Sequence, residues 1–177
     1  MGTEDLENVY DQVYLGADIA GDGDQRVAMN HRCNIAWGRF NEHRKVLTTT
    51  KLPLELRLRL YALLIISTMI YGCCAWLLTD DIKRSLNGVN SKMLSAITRR
   101  TIHEEARAPS LDTICSVLRI RRSYLGHILR MDENRAVRRF LLELSPKEAP
   151  FIPGSLLDDT EFTDVEEIIR AAEAREL

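Results

Sequence analysis

Val13, Leu15, Ala17 and Ile19 alternate with other residues in "VYLGADIAGDGD", which then runs into a Gly-Asp-Gly turn. That is the two-residue period of a short strand or a tight hairpin. From residue 25 the period changes: Val27, Cys33/Ile35, Trp37 and Phe40/Leu47 recur at helical spacing, predicting a helix over 25–46. "TTTKLP" breaks that pattern and places Pro53 in the first turn of a second helix, predicted from about 54 to about 77. A third, 80–98, opens with Asp80 and Asp81 and carries Ile82, Leu86, Val89, Met93/Leu94 and Ile97 on one side. "HEEARAPS" reads as a loop in which Ser110 caps a short helix, "LDTICSVL"; helices over 117–131 and 134–144 follow. "SPKEAPFIPG" holds three of the five prolines and predicts a linker. An acidic helix over 161–176, with Val165 and Ile168/Ile169 as a thin apolar stripe, ends the chain. There is no internal repeat. The expected fold is mainly α: a helical bundle around a buried apolar helix, with a short N-terminal β-strand or hairpin.

One stretch of the second predicted helix strains this reading. "LYALLIISTMIYGCCAWLL", residues 60–78, has nineteen residues and no charge in a chain that is 28% charged. Alone it is a candidate membrane span, and Arg57 and Arg59 before it and Asp80 and Asp81 after it even suit the positive-inside asymmetry. Against a span, the leucine pattern begins earlier, in "LPLELRLRLY", where Leu alternates with Glu and Arg. The amphipathic helices on either side also need an apolar partner to wrap. Composition does not decide between a span and a core helix.

Charge adds a division into three. The net charge of −2 conceals −7 over residues 1–24, +11 over 25–144 and −6 over 145–177. The expected organisation is an acidic lead-in with the hairpin (1–24), a basic helical domain (25–144), and a Pro-containing linker with an acidic helix (145–177). A basic centre between acidic ends suits an anionic partner, or ends that fold back over the centre; a solvated charged surface is the plain alternative. The four cysteines (Cys33, Cys73, Cys74, Cys115) and four histidines show no metal-ligand spacing. They fit core and surface positions of a reduced, intracellular protein, nuclear or cytoplasmic. The acidic first 30 residues lack the apolar segment of a signal peptide.

Candidate chemistry is correspondingly narrow. No cofactor and no catalytic or metal-binding residue is expected. Asp22 and Asp24 in "GDGD" lack the further ligands of a calcium loop, and Asp80 and Asp81 read as a helix start. The basic pattern is more informative. On a helix over 117–131, Val117, Leu118, Ile120, Tyr124, Leu125, Ile128, Leu129 and Met131 fill one arc, while Arg119, Arg122 and Arg130 fall opposite with Gly126 between them. Three guanidiniums around a residue without a side chain would let a phosphate backbone approach closely; an ordinary Arg-rich solvated face is the competing reading. Arg99 and Arg100 suit the C-terminal dipole of the preceding helix and could extend the basic surface. Arg121 points into the apolar arc and must snorkel outward or pair with an acid of a neighbouring helix. Trp37 and Trp76 are expected in the core, so any nucleic-acid binding would be phosphate-driven and sequence-independent.

A resemblance weighs against the membrane reading. "LRLRLYALLIISTMIYGCCAWLLT" resembles the segment that follows the reverse-transcriptase palm in LINE-type non-LTR retrotransposon polyproteins. "VYLGADIAGDGD" with "RVAMNHRCNIAWGRF" is similar to the family's strand after the palm and its first thumb helix. "RIRRSYLGHILRMDENRAVRRFLLE" is similar to its Arg-rich Leu-Gly-His-x-Leu-Arg-Met segment. The likeness covers about residues 10–144 in collinear order. Where the family often has Tyr-Gly-x-Glu-x-Trp, this chain has Cys74 in place of Glu, which makes a core segment look like a span. The resemblance implies a thumb and C-terminal connection that grips an RNA–DNA hybrid or DNA duplex. The palm's metal-binding aspartates have no counterpart here, so it implies a truncated, non-catalytic remnant or a short gene model. Two other readings stay open: a self-associating or protein-interaction module exposing the surface that once packed on a palm, and a single-pass membrane protein through 60–78. A decayed copy without selected function is a fourth.

Overall fold

The computed structural model describes residues 11–14, 17–20, 25–76, 78–99, 111–143 and 165–174, and these are mainly helical. β1 (Asp11–Tyr14) and β2 (Ala17–Ala20) pair antiparallel, Asp11 opposite Ala20, and β2 lies against α1 (Gln25–Thr48). Asp22, Asp24, Arg100, His103, Ser110 and the linker lie outside the described residues.

α1 buries Met29, Cys33, Ala36, Phe40 and Leu47. These lie on a narrower stripe than the expected one, since Val27 is exposed and Ile35 and Trp37 are half-buried. Pro53 stands just ahead of α2 (Leu54–Tyr61) as its N-cap residue rather than inside the first turn. α2 passes without a break through a π-helical turn (Ala62–Ile66) into α3 (Ser67–Met69). There the helix stops, eight residues short of its predicted end at 77. The cause is local. Ser67 and Thr68 donate their hydroxyls to the carbonyls of Leu63 and Leu64 one turn back, a contact that loosens helical geometry. Three residues on, Gly72 takes φ 75°, a left-handed conformation that costs other residues about 1–2 kcal/mol. A 3-10 turn (Cys73–Ala75) and extended Trp76 follow.

The uncharged run is therefore a helix, a reversal and a short turn. No helix among the described residues is long and apolar enough to cross a membrane. Nor is the run buried all round. Tyr61, Ile65, Ile66, Met69, Ile70, Cys73 and Trp76 enter the main core, while Leu63 is 71% exposed and Leu64 is exposed beside it.

α4 (Asp80–Thr98) matches its predicted span. Thr79 caps it by accepting from the Ile82 amide, and Asp80 and Asp81 occupy the positive first turn, pairing with Lys83 and Arg84. Its core face runs through Ile82, Leu86, Asn90, Met93, Leu94 and Ile97. Asn90 is buried because the Tyr61 hydroxyl donates to its Oδ1 (2.7 Å) and its Nδ2 donates to the Leu111 carbonyl (2.8 Å). The two helices expected over 111–131 are one, α5 (Thr113–Leu129). Its cap is Asp112, whose carboxylate accepts from the amides of Ile114 and Cys115. α6 (Ala136–Glu143) follows, and α7 (Val165–Glu173) docks on α5, where Ile168 and Ala172 meet Leu125 and Leu129 in a second, smaller core.

Candidate nucleic-acid interface

α5 is anchored at both ends of its length, and its arginines are divided by what it packs against. Its N-terminal half sinks Thr113, Ser116 and Val117 beside the main core, while its C-terminal half sinks Leu125, Ile128 and Leu129. Because the two halves have different neighbours, the single apolar arc expected from the sequence does not form. Ile120 and Tyr124 are exposed at mid-helix.

Arg119 is exposed and Arg122 half-exposed, three residues apart on one flank. Gly126 and Arg130 continue that flank at four-residue steps; Gly126 is buried, whereas Arg130 is exposed. Gly126 is adjacent to Leu125 and within one turn of Leu129, the residues on which α7 rests. Arg130 Nη1 donates to the Ala172 carbonyl at 2.9 Å, near the C-terminal end of α7, whose dipole is negative there. Gly126 is therefore not the open residue expected between the three guanidiniums. The acidic helix lies against Leu125 and Leu129, with Glu166 and Glu167 exposed in its first turn.

Arg121 donates to the Trp76 carbonyl, tying α5 to the turn that ends the uncharged run. Arg99 belongs to another place. In left-handed conformation (φ 55°) just past α4, it donates to the Thr48 carbonyl at the end of α1 (3.4 Å). The same junction is filled by Arg57, which the sequence offers only as a flanking charge of the uncharged run. Its guanidinium donates to the carbonyls of Leu52 (3.2 Å), Leu47 (3.3 Å) and Ile97 (2.8 Å), so one buried cation closes the C-terminal ends of both α1 and α4. Its signal in the sequence, an arginine inside an alternating leucine pattern, is shared by Arg59, which is exposed.

The cysteines divide as well. Cys33 and Cys73 are buried, Cys74 and Cys115 exposed, and all four are free thiols. Burial pushes the Cys33 thiol up to about 11. The hydrogen bond from Cys73 draws Cys74 down to about 7 against the effect of burial, with the charge of Arg121 helping. That same bond, with burial, holds Cys73 well above the ordinary thiol range. Among the described residues no group of three or more His, Cys, Asp or Glu side chains could hold a metal ion. Comparison with protein-family profiles, with curated proteins and with solved structures finds no match to this chain.

Proposed function

We propose that this chain is a non-catalytic, thumb-like remnant of a LINE-type reverse transcriptase that binds RNA–DNA hybrid or duplex nucleic acid without reading sequence. The observation that carries the reading is the flank of α5. Arg119 and Arg122 sit on a helix locked by the Asp112 cap and by the tie from Arg121 to Trp76, so their backbone positions are fixed before any ligand arrives. Fixed guanidiniums suit phosphate, which needs charge and geometry but no base contact. The +11 net charge of residues 25–144 supplies the longer-range attraction.

The docking of α7 adds a competitor. Its Ala172 carbonyl holds one Arg130 nitrogen, so deleting residues 145–177 should tighten duplex binding. The test is fluorescence anisotropy of a labelled RNA–DNA hybrid across a salt series. Each phosphate contact contributes a slope of about 0.9 in log K against log salt for a duplex. Arg119→Glu with Arg122→Glu should lower the slope by about two, and the deletion should raise it by about one as Arg130 is released. Unchanged affinity in the double Glu variant refutes the interface.

One observation favours a second reading, a self-associating or protein-binding module. Leu56, Leu60, Leu63 and Leu64 recur at helical spacing along α2 and the π turn, with Leu56, Leu63 and Leu64 exposed and Leu60 half-buried. Concentration-dependent sizing that Leu63→Glu abolishes, without nucleic acid present, would select it.

A further inference from the structure

The turn after α3 assembles two thiols that nucleic-acid binding leaves unused. Gly72 reverses the chain and the 3-10 turn Cys73–Ala75 follows at once, placing Cys73 in the main core and Cys74 at the surface. Adjacent in sequence, the two thiols influence each other's ionisation. Arg121 brings a guanidinium from α5 to the same turn, held there by the Trp76 carbonyl, and its charge acts on both sulfurs. The unit thus has one sulfur held firm by the core, one open to solvent, and a cation from a distant part of the chain.

Bridging the two sulfurs to each other is unfavourable. Consecutive Cα atoms lie about 3.8 Å apart across a trans peptide, whereas disulfides span Cα separations of roughly 4.4–6.8 Å. Without backbone movement, the chemistry left to such a pair is to hold a third atom between its sulfurs. Soft ligands of this kind select soft, thiophilic centres.

We propose that Cys73 and Cys74 form a two-sulfur chelating site for a soft, thiophilic centre, of which a trivalent organoarsenical is the simplest representative. With phenylarsine oxide each sulfur forms one As–S bond and the As–O bond breaks. The oxygen leaves with the two thiol protons as water, arsenic stays trivalent, and nothing is oxidised or reduced. Cys74, exposed and near the charge of Arg121, forms the first bond; Cys73, the next residue in the same turn, closes the ring.

The test treats the folded full chain with phenylarsine oxide near neutral pH and reads intact mass. The expected result is one arsenical per chain, retained in excess monothiol and released by a vicinal dithiol such as dimercaptopropanol. Cys74→Ser, at an exposed position, should abolish retention with the far-ultraviolet circular dichroism unchanged. Cys115→Ser, also exposed, should retain it. Retention by the Cys74→Ser variant would overturn the site, as would stripping of the wild-type adduct by monothiol. So would an adduct that forms only in urea, since the pair would then be closed in the fold.

Discussion

Replacing Arg57 by methionine should be among the most damaging single changes available to this fold. The side chain is 8% exposed, and its guanidinium donates to three carbonyls, one of them forty residues away in α4. Leu47 and Ile97 lie in the last turns of α1 and α4, where carbonyls have no intrahelical partner and the dipoles are negative. A hydrogen bond from a charged donor contributes about 1.5–3 kcal/mol net. Three would sum to well above 4 kcal/mol, but removing the cation also removes its own desolvation penalty, and methionine keeps most of the packing. The balance is a loss of about 3 kcal/mol, a large share of the roughly 5–15 kcal/mol that holds a typical domain together. Urea unfolding followed by circular dichroism reads this directly: at a slope of about 2 kcal/mol per molar, the midpoint falls by about 1.5 M. Arg57→Lys should recover part of it, because an ammonium cannot reach three diverging carbonyls in the fork geometry of a guanidinium. A midpoint shift below about 0.5 M for Arg57→Met would refute the junction as a source of stability.

Tyr61→Phe should cost about 1–2 kcal/mol in the same assay, because Asn90 Oδ1 loses its donor while staying buried. Gly72→Ala should cost about 1–2 kcal/mol through its left-handed backbone alone, with the cation–π contact of Arg32 over Tyr71 (4.4 Å) next to it weakened in consequence. Iodoacetamide should alkylate Cys74 with a rate that rises through a midpoint near pH 7, since the thiolate reacts and its population grows above that pH. Cys33, buried and drawn up to about 11, should stay unmodified until the chain unfolds; a midpoint for Cys74 at the ordinary thiol value would contradict the pairing with Cys73.

What the sequence made legible follows the range of the interactions involved. α1 and α4 were readable because their apolar positions repeat at helical spacing and their boundaries carry local marks: Pro53 beyond one, Thr79 with Asp80 and Asp81 at the start of the other. The acidic C-terminal helix was readable for the same reason. At the start of α5 the sequence offers Ser110 as a cap, whereas Asp112, two residues on, accepts the amide protons. Both are good capping residues, and spacing alone cannot rank them. The end of the uncharged run was marked too, by Ser67, Thr68 and Gly72, but their effect is overwhelmed in any count of hydrophobicity. Arg57, Arg121 and Arg130 were illegible in a stricter sense. Each donates to a carbonyl set by how other helices pack, and every residue has a carbonyl, so the partner leaves no trace in residue type.

That distinction bears on the basic centre as a whole. Of the five arginines singled out for nucleic acid, Arg99 and Arg130 donate to helix-terminal carbonyls, Arg100 lies outside the described residues, and Arg119 and Arg122 remain on the exposed flank. Of the guanidiniums that close helix ends only Arg57 is buried, and its contacts are little screened by salt; Arg99 and Arg130 are exposed. Those on the flank act through a field that salt suppresses within about 10 Å at 0.1 M. The +11 of residues 25–144 thus includes guanidiniums that join the ends of helices and others that lie on the α5 flank. The acidic α7 meets the first of these through its Ala172 carbonyl on Arg130, while Glu166 and Glu167 in its first turn are exposed.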